Sequence, residues 1–316
     1  MSDTLESHPI ITYALLERTM YEAMRLAATR LPPDVETALR TALDEEEQPL
    51  ARRHLEVTLE NTRLAAEGRG LLCGDTGFPL FFVEAGPEVR IEGGFGALWP
   101  AARAAVRRAT DESLLRPTMV DPLTRHNPGD NIGAHMPRVD LRFVEGGAGR
   151  LDARSLSIVA APKGGGSEIF GTFYRMLYPA DGRSGILKFV LDSIQRGSYA
   201  GKICPPAVVG VGIGGTADLC MHLAKRAAVL RPIGSRHPDP DVGEMEGALL
   251  EASRSLGIGP LGAGGRNAVL AVHVETAVTH TAALPVAVNA QCCVARRWKA
   301  VVHGGGGVEY TGEPGS

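Results

Sequence analysis

Net charge is nearly absent: 33 basic and 36 acidic side chains leave a formal −3 over 316 residues. Such a chain has no field for gripping nucleic acid or an anionic membrane, so neither partner is expected. Long apolar runs are missing as well. The most apolar region, 268–295, is broken by His273, Glu275, His280 and Asn289, which excludes a membrane span there. The opening Met1-Ser2-Asp3-Thr4-Leu5-Glu6 lacks the basic-then-apolar order of a secretory signal, and a cytoplasmic location is expected. Cysteine is sparse and widely spread, with five residues at 73, 204, 220, 292 and 293. That odd number in a long chain argues against a disulfide framework and for reduced or metal-bound thiols. No Cys-x-x-Cys spacing occurs, so spacing alone nominates neither a zinc site nor a ferredoxin-type cluster. Gly-x-Ser-x-Gly is also lacking, and His303-Gly304-Gly305-Gly306-Gly307 therefore reads as a C-terminal turn rather than a lipase oxyanion loop.

What is present is enough apolar material, 44% of residues, to bury a sizeable core, together with 39 glycines gathered at 164–166, 210–215, 257–265 and 304–307. Glycine clusters beside apolar runs suggest backbone turns converging on ligands. Residues 10–68 carry helical periodicity, interrupted at Pro32-Pro33-Asp34. A charged helix is expected over about 98–114. Strands are expected at 80–83, 139–144, 156–161, 207–213, 268–274 and 284–288, and further helices from about 168, over 187–195, 218–230 and 244–256. The pattern is α+β: a mixed sheet core with surrounding helices, in two lobes. We read one catalytic domain over 1–316, with a helical entry lobe at about 10–68 and an α+β body at about 69–303.

Several stretches concentrate chemistry. Leu71 to Leu80 places the Cys73 thiol, the Asp75 carboxylate and the Thr76 hydroxyl on a glycine turn where a helix hands over to a strand. A Gly-Asp-Thr-Gly turn is also ordinary turn chemistry. Arg116, before Pro117, is driven toward extended geometry and off the helix surface. Pro162-Lys163-Gly164-Gly165-Gly166-Ser167 opens a helix with three glycines, a geometry that suits an anion and equally a tight strand-to-helix turn. Gly210-Val211-Gly212-Ile213-Gly214-Gly215 superficially resembles a dinucleotide fingerprint, but its glycine spacing departs from Gly-x-Gly-x-x-Gly. Leu230 and Arg231 stand near where the ribose-binding acid belongs. His280 stands alone between two strand patterns, as hydrogen-bonded core histidines often do. Cys292 and Cys293 precede Arg296 and Arg297, whose charge is expected to favour thiolate. If that segment is extended, successive side chains face opposite ways and only one of the two thiols can be a ligand.

Eight motifs, in order, carry a resemblance over about residues 10–300: Cys73-x-Asp75-Thr76-Gly77, Leu115-Arg116-Pro117, Asn127-x-Gly129-Asp130-Asn131, Lys163-Gly164-Gly165-Gly166-Ser167, Cys204-Pro205-Pro206, Gly214-Gly215-Thr216, His280 followed by Pro285-Val286, and Cys292-x-x-Ala295-Arg296-Arg297. In this order they resemble the alpha subunit, or N-terminal domain, of class I fumarate hydratases and L-tartrate dehydratases. The resemblance implies a hydro-lyase acting on a small dicarboxylic 2-hydroxy acid, with a 4Fe-4S cluster on Cys73, Cys204 and Cys292 and one iron open to substrate. It selects Cys292 over Cys293, because the family ligand stands four residues before the first arginine of the pair. It implies substrate contacts at Arg116, Thr76, Asn131 and the Gly164, Gly165 and Gly166 amides, and an acid built from Asp75 and His280. Two departures stand out. Gly74 replaces a glutamine usual in the fumarate hydratases, and the sequence ends at Ser316 where single-chain members continue. A separate beta subunit is therefore expected, in a homodimer or a tetramer of two alpha and two beta subunits. The alternatives are an inactive homologue that binds a dicarboxylate or a partner, and a nucleotide-binding enzyme using the Gly210–Gly215 turn.

Overall fold

The computed structural model describes residues 10–144 and 151–313. In chain order its elements are α1 (Tyr13–Thr29), α2 (Pro33–Glu45), α3 (Pro49–Ala66), β1 (Phe78–Ala85), α4 (Leu98–Asp111), β2 (Arg138–Phe143), β3 (Leu156–Lys163) and α5 (Gly165–Phe170). There follow β4 (Thr172–Leu177), α6 (Gly182–Ser198), β5 (Ala207–Gly214), α7 (Ala217–Leu230), α8 (Pro240–Arg254), β6 (Val269–Ala277), β7 (Leu284–Gln291), β8 (Trp298–Val302) and β9 (Val308–Thr311). The fold is α+β, and the chain forms two compact units. One takes the chain up to Thr29, Gly74–Pro162 and the chain from Arg297. The other takes Arg30–Cys73 and Lys163–Arg296. The three N-terminal helices thus form no lobe of their own: α1 belongs to the first unit, α2 and α3 to the second. Their shared amphipathic periodicity shows that each buries one face, and only tertiary contacts decide against what.

The first unit is built on a five-stranded sheet in the order β2-β1-β3-β8-β9. β1 and β2 run parallel, while β3–β8 and β8–β9 are antiparallel. All eight residues of β3 are buried, which is why it reads as a mostly apolar run without alternation. Leu16, Met20, Ala23 and Met24 of α1 and Ala101, Ala102, Ala105 and Ala109 of α4 share one core with Phe81, Val83 and Ile158.

The second unit holds a four-stranded sheet in the order β4-β7-β5-β6, antiparallel except for β5 and β6. Helix α7 lies directly on β5. A Cβ at Gly210 would overlap Ala224 O, and one at Gly212 would overlap Cys220 O, so these glycines exist to let helix and strand backbones touch. Cys220 is buried in the same contact, its thiol donating to Gly212 O at 3.2 Å and pushed up to about 11 by burial. Glu46, buried after α2, accepts hydrogen bonds from Arg266 N (3.2 Å) and Asn267 Nδ2 (2.9 Å), fastening the glycine-rich 257–265 segment to the helices.

Three strands escape the sequence pattern. β4 follows α5 immediately, and its Tyr174, Arg175 and Met176 are exposed, so no alternation marks it. Its partner β7 lies more than a hundred residues on. β8 and β9 form a hairpin around the expected 303–307 turn, where His303 N donates to Gly307 O at 2.9 Å. Among the described residues no helix is long and apolar enough to cross a membrane.

Candidate active site

Within the second unit the structure brings together cysteines from three distant loops. Cys73 ends the segment after α3, whose Asn61 Nδ2 donates to Leu72 O at 3.1 Å. Cys204 stands exposed just ahead of β5 in left-handed backbone (φ 53°), its N–H donating to Gly201 O at 2.9 Å. Cys292 follows β7. Cys293 N donates to Cys204 O at 3.0 Å, lacing two of these loops together. Cys73, Cys292 and Cys293 also share one cluster with Val208 and Ala271. All five cysteines are thiols.

Cys293 reports on this convergence. Burial first, and then the charges of Cys292, Cys204 and Cys73, push its thiol well above the ordinary range. The expectation that the neighbouring arginines would favour thiolate fails for Cys293, because loss of water at this buried position dominates. The extended-segment premise fails too. β7 stops at Gln291, and Ala295 N donates back to Cys292 O at 2.9 Å, so the two thiols occupy a tight turn and not a strand. Among the described residues no three histidine, cysteine or carboxylate side chains close on one point as the ligands of a single ion would.

The Gly164–Gly166 turn lies beside Cys292. A Cβ at Gly164 would stand 3.9 Å from Cys292 Sγ and 3.8 Å from Arg296 Nη2, and one at Gly166 would press on Lys202 O at 3.0 Å. The helix that follows is α5, only six residues long. His280 is exposed in the turn between β6 and β7, not buried as a core histidine would be. Its Nδ1 accepts from Ala282 N at 3.1 Å, so the neutral ring carries its proton on Nε2. A cavity of about 410 Å³ between α2, α8 and β6, lined among others by Thr41, Arg236 and Arg254, includes none of these residues.

The first unit carries the other sequence-nominated residues, joined by hydrogen bonds. Asp75 Oδ1 accepts from Gly77 N at 3.0 Å, an Asx turn that shapes the loop. Thr76 is buried, and its hydroxyl accepts the Arg116 N–H. Arg116 is exposed, and its Nη1 donates to Gly74 O at 2.9 Å. Asn131 is fully buried. Its Oδ1 accepts from Thr118 N (2.8 Å) and Met119 N (3.1 Å), while Nδ2 donates to Thr110 Oγ1 (3.0 Å) and Arg116 O (2.9 Å). Thr76 and Asn131 thus hold Arg116 in place, and the guanidinium is the group left facing solvent. At Gly74 a Cβ would meet only Arg116 Nη1, at 3.9 Å, so the position has room for a side chain.

Residues 17–301 match the fumarate hydratase (Fumerase) family. The chain belongs to that family. It is a hydro-lyase family, and its members among known proteins include close counterparts of this chain. A relative in Methanocaldococcus jannaschii, named for the alpha subunit of L(+)-tartrate dehydratase, is 42% identical over 276 residues, covering 87% of this chain and 93% of its own. L(+)-tartrate dehydratase subunit alpha of Escherichia coli K12 is 34% identical over 278 residues, 88% of each chain, and the protein of that name in E. coli O157:H7 matches equally.

Two features of this fumarate hydratase family member lay beyond the sequence reading. Gly210 and Gly212 are accounted for by close contact of β5 with the α7 backbone. Lys163, passed over as part of a glycine turn, is completely buried, as are Asn289 and, in part, Glu168 and Lys225 beside it. A lysine ending a strand that is apolar but for Ser157 was the available signal.

Proposed function

We propose that this chain is the cluster-bearing alpha subunit of a hydro-lyase that reversibly removes water from a small dicarboxylic 2-hydroxy acid, tartrate or malate in type, working with a separate beta subunit. Cys73, Cys204 and Cys292 would hold a 4Fe-4S cluster. The observation that carries this reading is that one unit of a chain of this family gathers three loop cysteines, with Cys293 N bonded to Cys204 O at 3.0 Å and Cys73 and Cys292 packed in one cluster. A cubane takes its cysteines on separate irons, so ligands drawn from separate loops suit a cluster. When bound, such a cluster with one iron open supplies the Lewis acid that lets hydroxide leave at neutral pH.

The chain's own residues would do the rest. Arg116, braced by Thr76, Asn131 and the Gly74 carbonyl, offers a charged fork to a substrate carboxylate, and the Gly164–Gly166 turn beside Cys292 offers backbone N–H groups. His280, with its proton on Nε2, is suited to protonate the departing hydroxyl, with Asp75 as the carboxylate of that acid function. The relatives' names favour tartrate over malate, and the word alpha in them supports a beta partner. We infer a homodimer or a tetramer of two alpha and two beta subunits.

The test is anaerobic reconstitution followed by iron and sulfide analysis. About one cluster per chain is expected, lost in Cys73→Ser, Cys204→Ser and Cys292→Ala and retained in Cys293→Ala. Full cluster content in the first three variants would sink the ligand assignment. The chain co-purified with its beta subunit should dehydrate L-tartrate or malate, and the chain alone should be nearly inactive.

A further inference from the structure

An edge strand presents a row of backbone N–H and C=O groups that something must cover. In the second unit β6 is such a strand, since the order β4-β7-β5-β6 leaves one side of it without a strand partner. Helix α2 packs on one face, where Val35, Leu39 and Ala42 share a cluster with Ala271. Helix α8 packs on the other, where Leu249 shares a core with Val272 and Val274. The cavity of about 410 Å³ lies between these helices, and its lining includes five successive residues of β6, Val269 to His273. Neighbouring side chains of a strand point to opposite faces, so a cavity that touches all five runs along the free edge and meets the backbone itself.

Hydrogen bonds at one end show which way the edge groups point. Val274 N donates to Glu246 Oε1 at 2.8 Å and Val274 O accepts from Arg231 Nη1 at 3.4 Å, so both face away from β5. The pairing of β6 with β5 is regular from Ala271 to Ala277, and backbone groups alternate in direction along a ladder. The N–H and C=O of Val272 therefore face the same free side. Val274 is covered by the Glu246–Arg231 pair. Val272 is 3% exposed, and among the described residues neither its N–H nor its C=O has a partner on that side. Buried backbone groups are nearly always covered.

The charges that line the cavity are engaged, with one exception. Arg254 pairs with Glu45 at 3.6 Å and Glu251 at 3.4 Å, Glu246 pairs with Arg231 at 2.7 Å, and Asp34 Oδ2 accepts from Ile233 N at 2.8 Å. Arg236 donates from Nη1 to Gly243 O at 3.2 Å and has no carboxylate partner among the described residues. Ala38, Ile233 and Leu250 add apolar lining. The complement of this set is a molecule with an acceptor and a donor side by side for Val272, an anionic oxygen for Arg236, and an apolar body. An amino-acid residue with a free carboxylate has that pattern across its Cα. Its nitrogen must be an uncharged amide, because a buried ammonium needs a carboxylate and the acids here are taken.

We propose that the cavity between α2, α8 and β6 is a binding site for a small N-acylated amino acid with an apolar side chain. The ligand pairs with Val272 as one residue of an added strand would: its carboxylate accepts from Val272 N, its amide N–H donates to Val272 O, and the Arg236 guanidinium takes the same carboxylate. The site shares no residue with the candidate active site and does not depend on the reading of that site.

The test is isothermal calorimetry on the full chain with N-acetyl-L-leucine as the probe, expected to bind with a Kd of about 1 mM or tighter. N-acetyl-L-leucinamide lacks the carboxylate, 4-methylpentanoate lacks the N–H, and leucine replaces it with an ammonium. Each should bind at least about fivefold more weakly, and equal binding of any one of them overturns the proposed ligand class. Arg236→Gln should weaken N-acetyl-L-leucine about tenfold and abolish its advantage over the amide. Thr41→Tyr, at an exposed position of α2 on the cavity lining, should block binding by filling the space. Circular dichroism confirms that both variants fold. With ligand at about ten times Kd, exchange of the Val272 amide hydrogen, followed by NMR, should slow about fivefold or more, while that of Val274, already donating to Glu246, stays as it was. No heat up to about 10 mM probe, wild-type affinity in both variants, or unchanged Val272 exchange would each overturn the proposal.

Discussion

Asn131 offers the sharpest energetic test of how the Arg116 loop is held. Its amide makes four hydrogen bonds, to Thr118 N, Met119 N, Thr110 Oγ1 and Arg116 O, at 2.8 to 3.1 Å and with no exposure to water. At about 1 kcal/mol net for each bond, Asn131→Gly should cost about 4 kcal/mol. Asn131 also sits at φ 60°, in the left-handed region that asparagine and glycine tolerate. Asn131→Ala loses the same four bonds and adds about 1 kcal/mol of backbone strain, so alanine should be the worse replacement. The assay is urea unfolding followed by tryptophan fluorescence. Both tryptophans, Trp99 and Trp298, belong to the first unit, and the signal reports that unit alone. A loss below about 0.5 kcal/mol in the glycine variant would show that the amide network contributes nothing, and an alanine variant more stable than the glycine one would remove the backbone-strain term. In the assembled enzyme the glycine variant should raise KM more than it lowers kcat, if the guanidinium it loosens binds a substrate carboxylate as proposed.

Gly212→Ala should destabilise by about 3 kcal/mol, since a Cβ there meets the α7 backbone at Cys220 O and neither helix nor strand can move aside; wild-type stability in urea unfolding would refute the contact. Gly74→Gln, where the new Cβ meets only Arg116 Nη1 at 3.9 Å, should leave stability within about 0.5 kcal/mol of wild type, and a poorly folded variant on circular dichroism would show that the loop is tighter than its geometry. For Glu168, burial works to raise the carboxyl, but Lys163 and Lys225 outweigh it and hold it below its ordinary 4.5. A depressed folded value contributes stability above 4.5 that is lost as pH falls through the folded value, so Glu168→Gln should flatten the acid limb of stability against pH, measured by urea unfolding between pH 7 and 3. An equally steep limb in the variant would remove Glu168 from the account.

Periodicity alone marked the three N-terminal helices, α4, β3, β5, α7, α8 and the pair β6 and β7, because each buries one face or all of itself and a local pattern records that demand. Motif order alone pointed to the family, to Cys73, Cys204 and Cys292, and to Arg116, since a site's chemistry is written in residue types even when its parts are distant in sequence. What local pattern could not hold was anything decided by a partner far along the chain. β4 has the composition of exposed surface and is a strand only because β7 runs beside it. α1 and α2 look alike, yet they are buried in different units. The glycines of β5 resembled a ligand turn until α7 was seen lying on them. Cys292 and Cys293 stand in a tight turn and not in a strand, because Ala295 N donates back to Cys292 O. Asn131 and Thr76 are polar letters in polar or glycine-rich stretches, and only burial and hydrogen bonding reveal them as the supports of Arg116. Sequence determines which groups are available. Tertiary structure determines which of them meet water, and in this chain desolvation and hydrogen bonding separate the residues that face the site from those that hold it in shape.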